Sequence, residues 1–65
     1  MKERVKNWLR SIYASEKANI EAQIANLKNV VASSESSEII SVAEEELVEF
    51  YEELEFIKEK LDELK

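Results

Sequence analysis

The chain has 65 residues, a formal net charge of −6, and no glycine, proline, cysteine or histidine. Its length allows one domain, close to the size at which a single core becomes marginal. The four missing residue types exclude glycine-rich phosphate loops, Cys/His zinc sites, disulfides and a histidine general base, and they argue against a turn-rich β fold.

What remains is the vocabulary of long helices: Glu, Lys, Leu, Ala and Ile. No nucleophile–base pair, metal motif or pocket-sized interior can be assembled from it, so the chain is expected not to be an enzyme and to carry no cofactor or metal. No apolar run approaches the roughly 20 residues of a membrane span, and the basic start lacks the continuous apolar stretch of a secretory signal. A soluble cytoplasmic protein is the expectation. Charge is unevenly spread: residues 1–17 sum to +3, residues 18–32 to zero, and residues 33–65 to −9. The basic and acidic ends predict an object with a strong electrostatic polarity.

Residues from about 2 to 32 predict a first long helix. Leu9, Tyr13, Ile20, Ile24, Leu27 and Val31 share one side at 3.6-residue periodicity, flanked by Val5, Ile12 and Val30. The stripe has a gap at Glu16 and Lys17, where Lys17 is expected to lay its methylenes along the groove and send its ammonium to water. The opposite side, Ser11, Ala14, Ala18, Ala22, Ala25, Asn29 and Ala32, is small and uncharged. Alanine there serves helix propensity, or lets another helix approach closely.

Ser33-Ser34-Glu35-Ser36-Ser37-Glu38 breaks the pattern. Serine favours caps and turns, so a turn over about 33–37 should end one helix and start another, with Ser34, Ser36 or Ser37 as N-cap and Glu35 and Glu38 in the first turn. A second helix over about 38–64 then carries the strongest signal in the chain. Ile40, Ala43, Leu47, Phe50, Leu54, Ile57, Leu61 and Leu64 alternate three and four residues apart without a miss. So short a connection forces an antiparallel hairpin. Folding about residue 35 opposes Val31 to Ile40, Leu27 to Ala43, Ile24 to Leu47, Ile20 to Phe50, Leu9 to Leu61 and Val5 to Leu64. The basic start then lies beside Glu59, Asp62 and Glu63. A lone hairpin leaves one side of each stripe wet, so the expected fold is an all-α antiparallel two-helix hairpin that dimerises into a four-helix bundle.

Two groups fall outside this core. Val42 and Phe56 sit on the far side of the second helix among Glu45, Glu49, Glu52, Glu53 and Lys60. An aromatic anchor rimmed by carboxylates suits a protein partner. Rows of negative charge can also imitate a nucleic-acid backbone and fill a basic groove, as small phage-type inhibitors do. The leading expectation is therefore a small acidic interaction or regulatory protein. The alternative is nucleic-acid binding through Lys2, Arg4, Lys6, Trp8 and Arg10, where cations meet phosphates and a ring stacks on a base. Trp8 has a structural reading too, as a plug for the open end of the bundle, and a membrane-surface role for this segment is the weakest of the three. In length and layout the chain resembles the Rop family of plasmid RNA-binding proteins, small acidic hairpins that form four-helix dimers. That resemblance implies a homodimer that binds RNA. It covers the layout and no motif, so no residue is carried over from it.

Overall fold

The computed structural model describes residues 2–65, which form two α-helices packed on each other, α1 (Glu3–Ser33) and α2 (Ser37–Glu63). The hairpin is a narrow rod, 51 × 14 × 12 Å between Cα extremes. No helix among the described residues is long and apolar enough to cross a membrane.

The turn is built by serines. Ser33 Oγ donates back to the Asn29 carbonyl at 2.7 Å, and the Ser34 amide donates to the Val30 carbonyl at 2.9 Å, closing α1. Ser34 and Ser36 are both extended, and Ser34 Oγ accepts from the Ser36 amide at 3.2 Å. Ser36 is the N-cap of α2: its hydroxyl accepts from the Ile39 amide at 3.3 Å, satisfying one of the donors a helix start leaves open. Glu38 lies in that first turn, favourably placed in the helix dipole, whereas Glu35 stays in the connection outside the helix.

All eight α2 seam residues are buried or half-buried. The centre of the core joins Ile20 and Ile24 to Leu54 and Ile57, with Tyr13, Leu47, Phe50 and Leu61 packed against it. Lys17 is half-buried at its seam position, as a stem laid on apolar neighbours requires. The register departs from simple folding about residue 35 by about one helical turn. Arg10, not Val5, reaches Leu64, and Val5 is exposed. Extended backbone at Ser34 and Ser36 provides this stagger, which lets the side chains of one helix fall between those of the other.

The open end of the rod is closed by charge and not by side-chain ion pairs across the hairpin. Arg10 donates from Nε to the Leu64 carbonyl at 2.8 Å, and its Nη2 bonds the same oxygen. Lys6 Nζ donates to the Lys65 main-chain oxygen at 3.0 Å. Both cations meet the negative end of α2, where the last carbonyls have no partner within the helix. Asp62 and Glu63, expected beside the basic start of α1, pair within α2 instead, with Lys65 at 3.1 Å and Lys60 at 3.5 Å.

Two substitutions test this account. Ile24→Ala should cost about 2–4 kcal/mol by opening a void beside Leu54, and Ser36→Ala should cost about 1 kcal/mol by removing the cap. Urea denaturation followed by circular dichroism measures both, and equal losses would contradict the ranking.

Candidate interaction surfaces

Among the described residues no polar or charged residue is buried, and no buried side-chain polar atom lacks a partner. The interior is a dry seam, and whatever the protein does happens on its outside. Two helices bury only the strip along which they touch, so apolar residues outside that strip stay in view of solvent.

The α2 residues singled out by sequence, Val42, Glu45, Glu49, Glu52, Glu53 and Phe56, are all exposed. They do not form one patch. Val42 and Phe56 share an azimuth on α2 but lie fourteen residues apart, about 21 Å at 1.5 Å per residue. Phe56, 54% exposed, stands between two shallow grooves. One is formed with Glu16, Ile20, Glu52, Glu53 and Ile57, and the other with Val48, Tyr51, Glu52, Glu55 and Glu59. Five carboxylates therefore border its ring, three of them not anticipated from the sequence. Lys60 Nζ lies 5.3 Å from the ring centroid, a cation–π contact that holds one face of the ring. Glu45 and Glu49 extend the acidic surface toward the turn without lining either groove.

Val42 belongs to a different place. With Ile39 and Ala43 of α2, and Leu27 and Val30 of α1, it lines an apolar groove at the turn end whose rim is Glu38 and Glu46. Ile39 and Val42 are 53% and 58% exposed there. Sequence reasoning missed this groove, and it also missed the exposed pair Val48 and Tyr51, over whose ring Lys28 Nζ sits at 5.7 Å. The available signal was a second apolar pair three residues apart beside the seam, Ile39 with Val42 and Val48 with Tyr51.

The basic group divides as well. Lys6 and Arg10 are committed to the α2 terminus, and Arg10 Nη1 additionally bonds Asn7 Oδ1 at 2.9 Å and lies 3.9 Å from Glu3 Oε1. Lys2, Arg4 and Trp8 remain exposed around a shallow groove with Val5. Trp8, at 62% exposure, closes nothing within the hairpin.

Comparison with known proteins finds no family model, curated protein or solved structure that matches the chain. The surfaces have to be interpreted from their own chemistry.

The division of the basic group is testable. Arg10→Ala should destabilise the hairpin by about 1 kcal/mol, a charged hydrogen bond discounted for partial exposure, and should speed amide exchange in the last turn of α2. Arg4→Ala should change stability by less than about 0.5 kcal/mol. Matching effects from the two would show that Arg10 has no special attachment.

Proposed function

We propose that this protein is a small helical interaction module of the cytoplasm, regulatory or inhibitory in role, that self-associates and binds a protein partner through the acidic face around Phe56. The observation that carries the reading is the setting of that ring. A large apolar side chain more than half exposed, lining two grooves with Glu16, Glu52, Glu53, Glu55 and Glu59 and capped on one face by Lys60, combines a desolvation anchor with a predominantly negative surround. The complementary partner surface is basic with an apolar pocket, such as the groove with which a nuclease or repressor holds nucleic acid. Glu45 and Glu49 continue the row of charge and serve steering more than contact energy.

Self-association into a four-helix assembly is supported by what the hairpin leaves uncovered. Val5, Trp8, Ile12, Ile39, Val42, Val48, Tyr51 and Phe56 are all exposed in the single chain, apolar surface that association would remove from water. Nucleic-acid binding through the amino-terminal cations is less favoured, because Lys6 and Arg10 already answer the α2 carbonyls.

Affinity capture with the wild-type chain, Phe56→Ala and Glu49→Lys tests the leading reading. A partner held by the wild type should be lost or weakened at least about tenfold, about 1.4 kcal/mol, by Phe56→Ala, and weakened with a shallower dependence on salt by Glu49→Lys. Retention of every partner by both variants would refute it. RNA or DNA binding at about 50 mM salt that falls away as salt rises would instead support the amino-terminal group.

A further inference from the structure

Two of the grooves are one construction repeated. On α2 the turn-end groove is lined by Glu38, Ile39, Val42 and Ala43, and the groove between Phe56 and α1 by Glu52, Glu53, Phe56 and Ile57. Each residue of the second set lies fourteen beyond its counterpart in the first. On α1, Val30 and Glu16 stand in the same relation, fourteen residues apart in the opposite direction. Fourteen residues are two full heptads of helices packed along a seam, so both grooves open on one flank of the rod, about 21 Å apart along it.

Between them the flank turns acidic. One heptad beyond Ile39 and Val42 stand Glu46 and Glu49, exposed and faced from α1 by the neutral Gln23. Residues 38–57 hold eight glutamates and no lysine or arginine. Side-chain ion pairs among the described residues involve Glu3, Asp62 and Glu63 and none of these eight. Lys28 lies over Tyr51 on the opposite flank, and Lys60 covers Phe56 from the open-end side.

We infer that this flank seats a single basic amphipathic helix of another protein, with apolar anchors fourteen residues apart and lysine or arginine on the same face between them. The inference names the contacting element of the partner proposed above and rests on that reading. Fourteen residues of helix rise about 21 Å and return to nearly the same azimuth, so one straight helix reaches both grooves. An extended segment would lay unpaired N–H and C=O groups on apolar walls, whereas a helix satisfies its own. Phe56 then enters between side chains on successive turns of the docked helix, as a ridge enters a groove. The cations of that helix meet Glu46 and Glu49. A second copy of this chain is disfavoured by the same charges: a twofold placing each Phe56 on the other copy's turn-end groove sets Glu49 against its own mate and Glu46 near Glu53.

The probe is a synthetic alanine-rich helix of about twenty residues, with two leucines fourteen residues apart and three lysines between them on the same face. Binding to the full chain is read by fluorescence anisotropy at about 50 mM salt. Val42→Asn and Phe56→Ala should each weaken binding at least about tenfold, with helix content unchanged because both side chains are exposed. A peptide with its leucines only seven residues apart, which sets one of them against Glu46 and Glu49, should also bind at least about tenfold more weakly. Val48→Asn, on the outer side of α2, should leave binding unchanged. Absence of binding, indifference to leucine spacing, or sensitivity to Val48→Asn in place of Val42→Asn would overturn the inference. So would a dimer of this chain that both Val42→Asn and Phe56→Ala dissociate, because the flank would then belong to a second copy. Affinity capture reads the function separately: a partner lost with Phe56→Ala but indifferent to Val42→Asn keeps the Phe56 site and removes the spanning helix.

Discussion

Two helices in contact share one strip of surface, and that limit governs nearly everything else about this protein. Each helix is cylindrical, so packing against a single neighbour covers only a narrow sector of it. Here that sector is occupied by the unbroken three–four repeat of α2 and the stripe of α1, and the buried residues are Ile20, Ile24, Ala43, Leu54, Ile57 and Leu64 with half-covered neighbours. No second layer exists within the chain to hide what lies beside the strip. The exposed apolar residues therefore lie beside or behind that strip.

A strip this thin also places unusual weight on the rod's two ends, which are closed by different chemistry. At the turn, neutral hydroxyls serve the backbone: Ser34 and Ser36 each accept from an amide that a helix start would otherwise leave to water, and Ser33 adds a second bond to the Asn29 carbonyl. At the open end, Lys6 and Arg10 donate to the carbonyls of Leu64 and Lys65. Cations near the start of α1 are unfavourable in their own helix dipole, yet the antiparallel fold brings them to the carboxyl end of α2, where the sign is right. The same residues that cost α1 a little thus fasten α2.

The sequence made the seam legible because periodicity reports azimuth directly, and all eight predicted α2 positions turned inward. It was less informative about height along the rod. Val42 and Phe56 have the same azimuth, which made them look like one patch, but fourteen residues of rise separate them. Register was obscured for a related reason: the conformation of Ser34–Ser36 decides which residues meet, and side-chain pattern does not encode it. Arg10 has a role the pattern could not show: its partner is a main-chain oxygen, which no count of charged side chains can reveal. Trp8, expected to plug the open end of a four-helix bundle, is exposed in the single hairpin.

Charge segregation then bears on how one small surface can serve two kinds of contact. Exposed ion pairs contribute little energy each, but a basic end and an acidic end on a rod of this length oppose parallel association of copies and favour antiparallel association. The neutral middle of α1 allows two copies to approach there, whereas the outer side of α2, rich in glutamate, repels its own kind. The proposed self-association would therefore use the neutral side of α1, and the proposed partner the acidic side of α2. In both proposed contacts an exposed apolar side chain would supply the affinity, and the sign of the surrounding charge would select the molecule it meets.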